Sequence, residues 1–225
     1  MHSADIDTFK ERCQSRLRLI AQCLDLKLRC LTAGDYLWKQ GEPNTQVFKV
    51  EHGAIAVLRR RISRPVAVLE IAGVDDYAGH GILACHDTNA RAIVNSIISC
   101  MTKLEFTLVI DRNPSLRALQ ETEIAREISD GCESNRNNGR STPVECVAAC
   151  LFSIAQHNQR HGHDPEIVTN ELKCGIVSDL LELDIRTLAH ALRDLQDKGL
   201  IETCPPGGLR LKNIEALERV ADDRL

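Results

Sequence analysis

Between Leu31 and about Phe106 the chain breaks into short apolar runs punctuated by Gly, Pro, Asn and Asp, and this spacing restricts the fold more than any other feature. The runs are Val47-Phe48-Lys49-Val50, Ala54-Ile55-Ala56-Val57-Leu58, Val66-Ala67-Val68-Leu69-Glu70-Ile71 and Ala92-Ile93-Val94. Runs this short, bounded by turn residues, predict strands rather than helices, and several in succession predict a sandwich, roll or barrel.

Helical periodicity flanks this region on both sides. Residues 5–30 carry Ile6, Phe9, Leu17, Ile20, Leu24 and Leu28 at helical spacing among charges. After Pro114, the apolar positions Leu116, Leu119, Ile124 and Ile128 predict another helix. Glu123 and Arg126 interrupt its apolar seam, and Gly131 is expected to cut it short, opening a breaker-rich linker that runs to Arg140. A third helix has a complete start signal: Thr142 as N-cap, Pro143 in the first turn and Glu145 three residues after the cap. Cys146, Val147, Cys150, Leu151 and Ile154 continue it.

From Glu171 onward two helical patterns adjoin, Ile176-Val177-Leu180-Leu181 and Ile185-Leu188-Ala191-Leu192-Leu195. Leu183-Asp184 forms the turn between them, and Asp184 is placed to cap the second helix against its dipole. Gly199 marks the end of that helix, and a hairpin follows around Pro205-Pro206-Gly207-Gly208. Helix, turn, helix, hairpin is the order of a winged helix-turn-helix. The fold class is therefore α+β: an N-terminal helical segment (1–30), a β-roll (31–107), a connecting helix and linker (108–140) and a winged helix-turn-helix domain (141–225).

Composition narrows the functional classes. No apolar run is long enough for a membrane helix, and Met1-His2-Ser3-Ala4-Asp5 lacks the charged-then-apolar layout of a signal peptide, so a cytoplasmic address is expected. The ten cysteines include no Cys-x-x-Cys pair, so most are expected to be small buried hydrophobes, Cys146 and Cys150 among them. His157, His161 and His163 are expected to be solvated rather than ligating, and no metal site is expected. The sequence has no nucleophile elbow, phosphate loop or metalloprotease helix, which argues against an enzyme. The formal net charge of −4 argues against a generic polyanion binder.

Two motifs carry a family resemblance. Gly34-Asp35-Tyr36-Leu37-Trp38-Lys39-Gln40-Gly41-Glu42, followed by Val47–Val50 and Gly53–Val57, resembles the opening strands of cyclic-nucleotide-binding domains, with their G-D-x-[LI]-x-x-Q-G-E. Residues 174–201 resemble the pattern I-A-D-x-L-G-L-[TS]-x-E-T-[VI]-S-R of the FNR and FixK branch of the CRP/FNR transcription regulators. The resemblance implies a homodimer that binds double-stranded DNA, with the helix after Pro114 as the dimer seam and RNA polymerase as a further partner.

It also directs attention to residues that depart from the pattern. Members that bind cyclic AMP carry F-G-E and then an Arg paired with Ser or Thr. The matching stretch here is Tyr77-Ala78-Gly79-His80-Gly81, so His80 replaces the acid, and Ala90 stands where the phosphate Arg belongs, with Arg91 one place late. Gly79, His80 and Arg91 are the effector-pocket candidates, and cyclic AMP is not expected to bind. A haem reading rests on His80, which falls where haem-based sensors place a ligand. An iron–sulfur reading needs Cys13, Cys23 and Cys30 with Cys100, at spacings wider than the family's. Absence of any effector or cofactor is the favoured reading, with a haem- or redox-responsive regulator as an alternative.

In the second motif Arg186, Ala189 and His190 replace the usual Glu, Ser and Arg. Arg186 can donate to guanine, and Thr187 can meet a phosphate or a thymine methyl. Lys173, His190, Arg193 and Lys198 complete the DNA-binding candidates. Cys174, near the start of the motif, is the redox candidate, because a helix N-terminus favours the thiolate. Residues 171–212 hold six Lys or Arg against seven Asp or Glu, few cations for phosphate contacts. The alternative is a protein-interaction module that keeps the fold with DNA binding impaired.

Overall fold

The computed structural model describes residues 27–60, 66–133, 142–168, 174–205 and 207–222. In chain order, the elements are β1 (Lys27–Leu31), β2 (Tyr36–Trp38), β3 (Gln46–His52), β4 (Ile55–Arg59), β5 (Ala67–Ala72), β6 (Tyr77–Ala78), β7 (Asn89–Ala92), β8 (Ser96–Thr102), α1 (Lys103–Ile110), α2 (Pro114–Glu133), α3 (Pro143–Arg160), β9 (Ile167–Val168), α4 (Cys174–Leu181), α5 (Ile185–Asp197), β10 (Ile201–Cys204), β11 (Gly208–Leu211) and α6 (Ile214–Asp222). The sheets have orders β1-β8-β3-β6, β2-β7-β4-β5 and β10-β11-β9. The chain divides into two compact units, Met1–Ile55 with Ala72–Arg136, and Ala56–Ile71 with Asn137–Leu225.

In the first unit β8 lies between β1 and β3, antiparallel to both, with Cys30 opposite Ile97 and Phe48 opposite Cys100. The tight turn before β4 needs Gly53: its φ is +85°, and a Cβ there would lie 2.4 Å from Ser96 Oγ and 2.6 Å from the Asn95 carbonyl. Val47, Phe106, Ile110 and Leu116 form a buried cluster that fixes α1 and the start of α2 against β3, with Tyr77, Met101 and Val109 packed on it. This cluster is the platform for the candidate effector site.

Several sequence expectations are corrected here. Residues 27–30, assigned to the N-terminal helix, belong to strand β1, where Leu28 and Cys30 alternate with exposed Lys27 and Arg29; pairing with β8 overrides the helical spacing. The rest of that helix lies outside the described residues. Ala92-Ile93-Val94 is the end of β7 running into a turn, and the strand proper is β8. Helix α1 was not expected at all. Its start is nonetheless written in the sequence, because Thr102 and Glu105 make a reciprocal capping box. Helix α2 does not stop short of Gly131 but continues to Glu133.

In the second unit, α3 starts as expected, with Thr142 as cap, Pro143 in the first turn and Glu145 closing the box. Cys146 and Cys150 are core residues, and burial pushes their thiols up to about 11 and about 12. His157 and His161, expected to be solvated, are half-buried and lie ring to ring with centroids 4.5 Å apart. Helix α3 packs on α5 and on α6, whose Leu217 and Ala221 are buried. Arg160 at the end of α3 pairs with Glu70 at 2.9 Å and donates to the Ile71 carbonyl, fixing β5 to the helix.

Candidate functional site: a clamped loop and an exposed helix face

The loop from Gly79 to Thr88, where the resemblance places an effector, contains no helix. Its polar backbone is met by side chains of the first unit. Lys103 donates to the carbonyls of Gly79 and Gly81, at 2.6 and 2.7 Å. Glu127 of α2 accepts from the N–H groups of Ile82 and Leu83, at 2.7 and 3.2 Å. Gln120 donates to the His80 carbonyl at 3.3 Å. On its other side, the loop exchanges backbone bonds with the turn before β3: Gly41 donates to His86, His86 to Glu42, and Asn44 to Ala84.

The clamp is buried enough to alter its own charges. Burial pushes the Lys103 ammonium down to about 8, with Glu127 and Glu123 opposing. Glu127, only 6% exposed, is raised above the usual carboxylate range by burial, while the bonds from Ile82 and Leu83 pull it back. Arg126 grips Glu123 through two bonds and reaches Asp87 at 3.5 Å. The charges that interrupt the apolar seam of α2 therefore face the loop. Glu127, Lys103 and Gln120 are the residues that the sequence reading missed. The cue was a helix whose apolar stripe is broken by the charges of Glu123 and Arg126, taken only as a flaw in the dimer seam.

The sequence-selected pocket residues each have partners of their own. Gly79 adopts a φ of +77°, with Phe48 and His86 packed against the position a Cβ would take. His80 is 4% exposed, and its ring lies against Phe106, 6.0 Å between centroids and 17° from parallel. With the residue enclosed in this way, no edge of the His80 ring lies open to a haem macrocycle. Arg91 is committed elsewhere: Nε donates to the Gly34 carbonyl at 2.9 Å, and the guanidinium lies over Tyr36. The iron–sulfur set also fails on geometry. Cys30 shares its face with Ile97, whereas Cys100 stands three residues beyond Ile97, so the two thiols project from opposite faces. Cys13 and Cys23 lie outside the described residues.

In the second unit, the turn between α4 and α5 is closed by Ser178, whose hydroxyl donates to the Leu183 carbonyl at 2.6 Å while the Leu183 N–H returns to the Ser178 carbonyl. Glu182 holds a φ of +53° there, at the glycine position of the resembled pattern, and its carboxylate pairs with Arg60. Asp184 caps α5, accepting the Thr187 N–H at 2.9 Å and the Thr187 hydroxyl at 2.6 Å. These bonds hold the Asp184 carboxyl below its ordinary range. Replacing Asp184 with alanine is expected to lower the thermal midpoint of this unit by a few degrees and to fray the start of α5, as read by melting curves and amide exchange around Thr187.

Helix α5 buries Leu188, Ala191 and Leu195 and turns Arg186, His190 and Arg193 outward. Spacings of four and three place these three on one face. Thr187 is half-buried, and its hydroxyl donates to Asp184. Lys198, also exposed, is the C-terminal cap. Gly199 takes φ +70° and lets Leu200 donate back to Leu195. Lys173 lies outside the described residues. Cys174 is exposed as the first residue of α4.

The described elements form a mixed α+β fold with N-terminal sheets and C-terminal helices, and two solved structures share it. FixK2 from Bradyrhizobium japonicum is similar, at 17% identity over 87% of this chain and 96% of that one, with a TM-score of 0.55. A CooA mutant from Carboxydothermus hydrogenoformans is similar at 13% identity over 88% of each chain, with a TM-score of 0.53. At such identities the likeness is one of fold. No family model and no curated protein matches the sequence. Among the described residues, no helix is long and apolar enough to cross a membrane.

Proposed function

We propose that this chain is a DNA-binding transcription regulator that acts as a homodimer and does not respond to cyclic AMP. The exposed Arg186-His190-Arg193 face of α5 carries this reading, since it offers hydrogen-bond donors on a helix whose opposite face is anchored by Leu188, Ala191 and Leu195. The clamped loop supports independence from an effector. A cyclic nucleotide would have to displace Lys103 and Glu127 from four backbone groups, and Arg91, the candidate phosphate ligand, is engaged with Gly34. Exposed Leu119 and Ile128 on α2, with Leu104 and Leu108 on α1, provide apolar surface for a second copy. Sedimentation showing only monomer at micromolar concentration would contradict the dimer.

Selection of bound sites from random-sequence DNA at low salt tests the main reading. Enrichment of a sequence is expected, and replacing Arg186 with alanine is expected to weaken binding to it roughly tenfold. Retention of no DNA at any salt concentration would reject it. One observation favours the interaction-module alternative: in the hairpin after α5, Glu202 takes up Lys212 at 3.4 Å and Arg210 at 4.0 Å, which reduces the cations left for phosphates.

A further inference from the structure

The end of α3 carries a pair of histidines outside both the clamped loop and the exposed face of α5. His157 and His161 are four apart, so helical spacing sets them on one face of α3, one above the other. Both are half-buried, with ring centroids 4.5 Å apart and ring planes 46° from parallel. The two rings offer nitrogens within 4.8 Å of each other, and Nδ1 of His157 is shut away from water. Two histidines at this spacing on one helix face are a pair that holds zinc in metal-binding helices. Nitrogens bound to one tetrahedral zinc stand about 3.4 Å apart, a separation that small side-chain rotations reach from here.

The surroundings favour a cation. His161 is the C-cap of α3, at the end where backbone carbonyls gather partial negative charge. Arg160, between the two histidines in sequence, has its charge answered by Glu70 at 2.9 Å and by the Ile71 carbonyl. The turn beyond is fixed by its own bonds. Gly162 takes φ +70°, the His163 N–H donates to the Asn158 carbonyl at 2.8 Å, and the Asn158 side chain donates to the Asp164 and Ile167 carbonyls at 3.3 and 2.8 Å. Little ordering is therefore left to oppose binding. We propose that His157 and His161 form a binding site for a divalent transition metal of the imidazole-preferring class, zinc or nickel, with water in the remaining positions. Magnesium and calcium want oxygen ligands and are excluded by the same chemistry. With two protein ligands the site is exchangeable, unlike a closed structural zinc. It is independent of the DNA-binding reading, although its occupation fastens the end of the helix on which α5 and α6 pack.

The test titrates the full chain, reduced and stripped of metal, with zinc, nickel or magnesium, and follows the thermal midpoint and the metal retained. Zinc and nickel are each expected to raise the midpoint, because an ion that binds only the folded chain stabilises it. Magnesium at the same concentration is expected to leave it unchanged. His157→Gln and His161→Gln keep a polar side chain in place. Each is expected to weaken nickel binding roughly tenfold or more, since loss of even an outer partner of a metal site costs about that much. His163→Ala changes the exposed histidine of the following turn and is expected to bind nickel as the wild type does. Melting without metal separates binding from folding, and if His157→Gln does not fold, His161→Gln carries the same comparison. Nickel binding unchanged in the glutamine variants overturns the proposal, as does an equal loss in His163→Ala. A midpoint that no transition metal moves, or that magnesium raises as far as zinc does, overturns it as well.

Discussion

Replacing Gly81 with alanine is expected to lower the stability of the first unit by about 2 kcal/mol and to release the loop from α2. A Cβ built on Gly81 would lie 1.9 Å from Oε1 and 2.5 Å from Cδ of Glu127, so the carboxylate must leave. The steric part is cheap, because a carboxylate is the far end of a flexible chain. The cost is in what it abandons, since the N–H groups of Ile82 and Leu83 lose their acceptor and Lys103 loses the charge that offsets its burial. Losing hydrogen bonds to a charged group typically costs about 1.5–3 kcal/mol each, partly recovered when water enters. A double-mutant cycle isolates the effect: in a Glu127→Ala background the same glycine change should cost little. Equal penalties in both backgrounds, measured by urea unfolding, would show that the clamp does not hold the loop.

The contrast between the two units explains how much of the fold and the site was legible in the sequence. Thr142-Pro143-Glu145, Asp184 and Gly199 act locally, each through its own backbone geometry and neighbours a few residues away, and each stands where its pattern placed it. The exposed face of α5 was legible for the same reason, since helical spacing alone sorts Arg186, His190 and Arg193 from Leu188, Ala191 and Leu195. The clamp was not legible. Glu127 meets Ile82 across 45 residues of chain and Lys103 meets Gly79 across 24, and no local period reports a pairing between a helix and a distant loop. Strand β1 was misassigned because Leu24 and Leu28 fit a helical period, whereas its pairing partner β8 lies far along the chain. The burial of His80 against Phe106 of α1 is a contact of the same long-range kind.

Acidification is expected to destabilise this unit through His86. Burial, with repulsion from Lys103, pushes the imidazole down to about 4, against the weaker opposing pull of Glu42 and Asp87. The ring is stacked on Trp38, 4.4 Å between centroids and 14° from parallel, and its residue bonds the turn at Gly41 and Glu42. Because the folded state holds the imidazole neutral below its ordinary range, the unfolded chain takes up the proton first as pH falls. The contribution is thus fully present above about 6.5 and is lost progressively down to about 4, amounting to at most about 3 kcal/mol. Replacing His86 with phenylalanine keeps a ring against Trp38 and removes the titration. Urea midpoints measured from pH 7.5 to pH 4.5 should fall steeply for the wild type and more gently for the variant. An unchanged slope in the variant, or a His86 ring resonance titrating near 6.5, would assign the acid sensitivity elsewhere. The comparison with Gly81→Ala is informative in itself. His86 secures the loop to the turn before β3 and Glu127 secures it to α2, so acid should loosen the first attachment while the glycine change releases the second.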